Sequence, residues 1–298
     1  MLPKQAELLE RISRLNIWQR RGERAPHKPL LLLIALARVA QGGDRLIKFD
    51  ELDPILRRLL LQYGPPRQSV HPEYPFWRLQ TDEIWEVKSS RPLTQRKGNT
   101  DPLKSELLKY GVKGGFPEDI WKELHGDRAL LERAARLILE AQFPESLRDD
   151  ILNDVGLSLS SNVLSCRRSA SFSASVLKAY GNSCAVCGYH IRVGQGTLAL
   201  EAAHIKWHQA GGPDEVDNGL ALCAIHHKAL DYGAIGVTES RKIVVSCDVS
   251  GNSIGQWFEP FHGTPLRRPG RKEWMPSLDF IRWHALQVFR APARDLPF

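Results

Sequence analysis

Leu8, Leu9, Ile12 and Leu15 recur at helical spacing, which predicts an amphipathic helix over Gln5–Leu15. Leu30–Ala40 is apolar nearly all round, which predicts a buried central helix entered through Pro29. Asp50 is placed to cap a helix running to Leu61, and Tyr63-Gly64-Pro65-Pro66 ends it. In HPEYPFWRLQTDEIWEVK, the residues Phe76–Gln80 and Ile84–Lys88 read as short strands around a Thr81–Asp82 turn. Helical patterns follow over Thr100–Tyr110, Pro117–Leu124, Asp127–Gln142 and Pro144–Val155. In the third of these, Leu130, Leu131, Ala134, Leu137, Ile138 and Ala141 share one face. The first half of the chain is therefore expected to be mostly helical with a small β-hairpin.

Leu157–Ser171 is serine-rich and has no period, so it reads as a linker. Beyond it the pattern predicts a short helix over Phe172–Tyr180, a strand over Thr197–Lys206 and a helix over Ala224–Asp231. Strand-like segments at Ile235–Thr238 and Lys242–Cys247, and a last helix near Leu278–Phe289, complete the set. The expected organisation is a first domain of residues 1–156, a linker of 157–171 and a second domain of 172–298, an α+β chain as a whole.

With 298 residues, two domains are the prior expectation. The longest apolar run, Pro29–Ala37, is too short to span a bilayer, and the amphipathic start is not a signal peptide. The net charge of +7 permits a nucleic-acid partner without requiring one. Five cysteines with a metal-ligand spacing argue for a reducing interior, and so for a cytoplasmic protein, with Cys166 and Cys247 left as free thiols.

The densest chemistry lies in Cys184–Val237, which holds three of the five cysteines and five of the ten histidines. Cys184, Cys187, Cys223 and His226 form two C-x2-[CH] knuckles, the spacing of a closed tetrahedral Zn2+ site with a structural role. His204, Asn218 and His227 remain outside that shell. Two imidazoles and an amide suit a hydrolytic site with one divalent metal such as Mg2+ or Mn2+. A zinc module that binds DNA without catalysis is the alternative from another class.

At these residues, in AAHI, DNGLALC and IHHKALD, the chain resembles the HNH endonucleases of the ββα-metal type. The resemblance implies that His204 is the general base, that His227 binds the catalytic metal, and that Asn218 positions the His204 loop or a ligand. It departs from many HNH enzymes at Ala203, where a second metal ligand often precedes the base. Glu201, Asp214, Asp217 and Asp231 are the nearby carboxylates, and His208 is a further candidate for the phosphate or metal. On a regular strand Glu201 lies opposite His204 and misses the metal, whereas Asp231, one turn after His227, is placed to orient it. Asp214, Asp217 and His208 read as surface polar residues.

The segments RRGERAPHKPLLLL and YPFWRLQTDEIWEV resemble the sulfur-binding domain of McrA-like, modification-dependent endonucleases. That resemblance implies a type IV restriction enzyme that recognises phosphorothioated double-stranded DNA and hydrolyses phosphodiester bonds nearby. In such DNA a non-bridging phosphate oxygen is replaced by sulfur, which is larger and less strongly hydrated. A selective pocket needs apolar contact beside a cation. Ala25, Pro26, Tyr74 and Pro75 are the expected walls, and His27, Lys28 and Arg78 the expected donors. Arg20, Arg21, Arg24, Arg67, Arg91, Arg96 and Lys97 are expected to follow neighbouring phosphates. A first domain that reads methylated or unmodified DNA is the alternative. Because one such site cuts one strand, a homodimer is expected, with the aromatic segment Trp257–Phe289 as its interface.

Overall fold

The computed structural model describes residues 3–16, 23, 25–94, 101–160, 170–194 and 196–295. Two compact units emerge, one within the first 160 residues and the other from residue 170 onward.

The first unit is built on α2 (His27–Ala40), which follows α1 (Pro3–Ser13). Ten residues of α2 are buried, and Leu30, Leu31, Leu32 and Leu33 have no exposed surface. Each such leucine contributes roughly 2 kcal/mol of burial, which is why the remaining helices gather around this one. They are α3 (Phe49–Tyr63), α4 (Glu73–Arg78), α5 (Lys104–Lys109), α6 (Glu118–Gly126), α7 (Arg128–Gln142) and α8 (Glu145–Val155). Asp50 sits inside the first turn of α3 and Lys48 takes the capping position, so the aspartate meets the helix dipole rather than capping the end. Asp127 does cap α7, accepting from the Leu130 amide at 2.9 Å, and α8 ends on Gly156 at φ 72°.

The expected hairpin is replaced by a helix and a three-stranded sheet. Tyr74–Arg78 lies in α4 and continues as a 3-10 turn through Asp82. Pro72 and Pro75 hold the backbone in helical φ, and Phe76 and Leu79, three residues apart, are both fully buried. Only Glu86–Lys88 remains extended, as β2. Its partner is β3 (Lys113–Gly115), which also pairs with β1 (Leu46–Lys48), so the order is β1-β3-β2, all antiparallel. Gly114 makes this possible, since a Cβ there would lie 2.8 Å from both the Phe76 and Trp85 rings.

The second unit begins with α9 (Ala170–Ala179) and a short ribbon of β4 (Arg192–Val193) and β5 (Gly196–Thr197). Its centre is an antiparallel pair, β6 (Leu200–His204) with β7 (Gly219–Cys223), followed directly by α10 (Ala224–Asp231). This is the ββα arrangement. Ala202, Ala203 and Ala221 are buried, and their small side chains let both α9 and α10 pack on the pair. Gly219 is opposite His204, and a Cβ on it would lie 2.4 Å from Val176 of α9. A second antiparallel pair, β8 (Ile235–Val237) and β9 (Ile243–Val245), precedes α11 (Ile254–Trp257) and α12 (Leu278–Gln287). Trp283, Val288 and Phe289 are buried within this unit. Of the aromatic segment expected to pair two copies, Trp283 and Phe289 thus pack within their own domain, while Trp257, Phe258, Phe261, Trp274 and Phe280 are half-buried. No helix among the described residues is long and apolar enough to cross a membrane.

Candidate metal centre, hydrolytic site and nucleic-acid interface

Cys184 and Cys187 lie on the turn after α9, Cys223 ends β7, and His226 stands in the first turn of α10. Gly188, at φ 74°, donates its amide to the Cys184 carbonyl at 2.9 Å and closes the first knuckle. The four ligand atoms lie within 4.8 Å of one another. Cys223 Sγ is 3.1 Å and Cys184 Sγ 3.7 Å from His226 Nδ1, and Cys187 Sγ is 4.0 Å from Cys223 Sγ. A zinc tetrahedron with these ligands has edges of about 3.8 Å between sulfurs and slightly less to nitrogen, so the donor set could hold zinc. His226 Nε2 donates to the Trp257 carbonyl at 2.9 Å, which leaves Nδ1 as the ligand atom. Phe258 and Phe261 meet the His226 ring edge-on. Hydrogen bonding from Cys223 holds the Cys184 thiol low, at about 3, while giving that bond pushes Cys223 up.

His204, Asn218 and His227 surround the same ββα core. Asn218 is fully buried. Its Oδ1 accepts from the Lys206 amide at 2.8 Å, and its Nδ2 donates to the carbonyls of Lys206 and Pro213 at 3.0 and 2.9 Å. The amide therefore ties together both ends of the loop that follows His204. Gly212 is obligatory in that loop, because a Cβ would lie 1.8 Å from the Lys206 carbonyl oxygen. The His204 ring stacks on Phe172 of α9, with centroids 4.0 Å apart and planes 12° from parallel. Its Nε2 lies 2.9 Å from Asp214 Oδ1. Burial lowers the His204 pKa, against the opposing effect of the Asp214 bond and charge. Asp214 thus lies at the surface, as expected, and is also a partner of the histidine.

His227 stands between two carboxylates. Its Nδ1 is 2.5 Å from Glu201 Oε2 and its Nε2 is 3.3 Å from Asp231 Oδ2. Burial works to lower its pKa, but the bonds and charges of Asp231 and Glu201 outweigh that and raise it to about 9. Glu201 shares its strand face with Ala203, as expected, and that face meets α10. Both ring nitrogens are thus engaged by carboxylates on different edges, so a cation held at Nδ1 would take the place of the proton shared with Glu201, while Asp231 on Nε2 orients the ring.

In the first unit, α4 and the start of α2 bring the expected pocket residues together in part. The Arg78 guanidinium makes a two-pronged pair with buried Asp101 and lies 4.6 Å from the centre of the Tyr74 ring. Tyr74 also stacks with His71, at 4.7 Å and 19°. Pro75 is buried beside them. His27 is held neutral, with its pKa lowered to about 4 by burial first and then by the charges of Arg67, His71 and Arg78. His71 and Arg67 are thus neighbours of the pocket; the sequence carried no signal for His71 beyond its place just before Tyr74. Lys28 is a correction. Its ammonium bonds Asp82 at 2.5 Å and the Asn16 carbonyl at 2.9 Å, and both charged groups are largely buried. It ties Asn16, just past α1, and the start of α2 to the turn after α4, and its charge is already matched. Arg91 lies over Tyr110. Arg20, Arg21, Arg24, Arg96 and Lys97 lie outside the described residues, as do Cys166 and most of the expected linker.

The family of ScoMcrA-like DNA sulfur-binding domains matches residues 5–160, more than half of the chain. The chain belongs to this family. Its second unit matches the HNH endonuclease family over residues 184–238, so the sulfur-binding domain is joined to an HNH domain. Among solved structures, the chain is 25% identical to the sulfur-binding domain of ScoMcrA complexed with phosphorothioated DNA. The likeness covers 50% of this chain and 94% of that one, with a TM-score of 0.44. For the type IV phosphorothioation-dependent restriction endonuclease ScoMcrA, identity is 24%, the TM-score 0.41, and the shares 50% of this chain and 27% of that one. For the modification-dependent TagI restriction endonuclease the identity is 30%, with a TM-score of 0.32 over 44% of this chain and 40% of that one. No curated protein matches the chain.

Proposed function

We propose that this protein is a restriction endonuclease that recognises phosphorothioated double-stranded DNA through residues 1–156 and hydrolyses phosphodiester bonds nearby through residues 172–298. The observation that carries the reading is the union, on one chain, of a sulfur-binding domain with an HNH domain. The first pocket has the required physical character. Tyr74 and Pro75 offer apolar surface, and Arg78 offers a cation held rigid by Asp101. Neutral His27 adds a hydrogen bond without the hydration cost of another charge. A large, weakly hydrated sulfur gains from the wall, whereas oxygen gains only from the cation.

In the hydrolytic site, His204 is the general base. Burial keeps it neutral at pH 7, as a proton acceptor requires. Asn218 holds its loop. His227 would hold Mg2+ or Mn2+ on the side of Glu201, with Asp231 orienting the ring from its other nitrogen, and the ion would supply Lewis-acid neutralisation of the phosphate charge. Cys184, Cys187, Cys223 and His226 would hold structural Zn2+, and reduced thiols there suit a cytoplasmic setting. Phosphorothioated, methylated and plain plasmids incubated with the protein and Mg2+ or Mn2+ test the reading. Cleavage of the first alone is expected, abolished by EDTA and by His204→Ala. Cleavage of methylated DNA alone would overturn the sulfur reading, and undiminished cutting by the His204 variant would overturn the hydrolytic one.

A further inference from the structure

We propose that Asp214 is a positioning residue for the general base, fixing the tautomer and tilt of His204 so that Nδ1 faces the water. The inference rests on the reading of His204 as the base, and it adds a residue and an atom to it.

Asp214 Oδ1 lies 2.9 Å from His204 Nε2. An ionised carboxylate only accepts, so Nε2 must carry the proton and donate it. A neutral imidazole has one N–H, so its lone pair is then on Nδ1. Among the described residues Nδ1 has no hydrogen-bond partner. Phe172, which stacks on its face at 4.0 Å, fixes the ring's plane, and the Asp214 contact fixes which edge of the ring carries Nε2 toward the carboxylate. Two contacts thus define the ring, one in its plane and one on its face.

The backbone shows how the carboxylate is delivered. Asn218 grips the Lys206 amide and carbonyl, two residues after His204, and the Pro213 carbonyl, one residue before Asp214. The loop between them is closed by Gly212, whose amide donates to the Trp207 carbonyl at 3.0 Å. Buried Trp207 anchors the loop's other side against Trp283. One buried amide therefore sets both the base and the group that orients it. Asp214 itself is partly exposed and takes no part in the core, so its replacement leaves the fold intact. The other groups near His204 are His208, with ring centroids 6.1 Å away, and Asp231, which acts at longer range. Neither takes the Nε2 proton.

The experiment uses the full, zinc-loaded chain with histidine labelled for NMR. Ring-nitrogen shifts report the tautomer of His204, assigned by comparison with His204→Gln, and cleavage of a phosphorothioated plasmid with Mn2+ reports kcat and KM. The parent is expected to hold the Nε2–H tautomer. Asp214→Ala is expected to mix the tautomers and lower kcat on the order of 10- to 100-fold with KM unchanged, the size of loss typical of an orienting partner. Asp214→Asn, which keeps an acceptor oxygen without the charge, is expected to regain part of both. Asp214→Ala with an unchanged tautomer overturns the proposal, whatever happens to the rate. A parent that binds but does not cut defeats the nuclease reading instead, and the tautomer measurement still decides this one.

Discussion

His27 links the chemistry of one residue to a measurable pH dependence. Its folded pKa lies near 4, below the usual 6.5, because burial and then the charges of Arg67, His71 and Arg78 disfavour protonation. Between these values the unfolded chain binds more protons than the folded one. The stabilisation is fully present above pH 6.5 and is lost as pH falls through about 4, a change on the order of 3 kcal/mol. Urea titrations between pH 7 and 4.5 should show the parent losing stability more steeply than His27→Gln; equal slopes would contradict the burial. Tyr74→Ala should erase discrimination between sulfur and oxygen duplexes while leaving attraction to both. In the second unit, Gly212→Ala should abolish cleavage with zinc retained, since its Cβ would collide with the Lys206 carbonyl inside the Asn218 clamp. Residues singled out by chemical type, such as Cys184, Cys187, Cys223 and His226, which the fold brings within 4.8 Å of one another, were legible in the sequence. Asp214, Glu201 and His71 were not, because their roles come from distances across loops and between elements.

Elements differ in how well periodicity foretold them. The helices α2, α7 and α8 emerge close to their expected bounds, because α2 is a long run apolar nearly all round, α7 carries a long one-sided pattern, and α8 lies between Pro144 and Gly156. Tyr74–Arg78 does not, because a short aromatic run fits strand and helix alike, and only packing against Phe49 and Trp85 decides. The strands β1 and β3 escaped notice because each spans only three residues, with two of β3's three being glycine. The Lys28–Asp82 tie gives a test at this scale. Removing Lys28 leaves Asp82 buried without its partner, so Lys28→Ala should destabilise the first unit by about 3 kcal/mol. The salt dependence of DNA binding should stay the same; a slope reduced by about one unit would instead make Lys28 a phosphate contact. Cys184→Ala should release zinc and unfold the second unit, because the metal joins the turn after α9 to β7 and α10 and its binding energy is folding energy. Active protein without zinc would contradict this.

Across the whole molecule, a sulfur-binding domain and an HNH domain share one chain, and the proposed function divides recognition and hydrolysis between them. An HNH site has little sequence preference, so the first domain must supply the choice of target. One hydrolytic site cuts one strand, and double-strand breaks require two copies or two visits. A dimer on DNA is the simpler arrangement, but its contact surface is to be sought away from Trp283 and Phe289, which are buried in their own domain. Sedimentation of the protein with and without a phosphorothioated duplex would show two copies per duplex; a single copy making concerted double-strand cuts would contradict that arrangement. The central claim is that this chain selects sulfur over oxygen on the phosphate. It is tested most directly by titrating full-length His204→Ala protein, which cannot cut, with duplexes that differ only in one phosphorothioate, in both stereochemical forms and at fixed salt. The account predicts tighter binding to one sulfur stereoisomer than to the phosphate duplex, with the difference lost in the His204→Ala, Tyr74→Ala double variant. Equal affinities across several core sequences and both stereoisomers would contradict it.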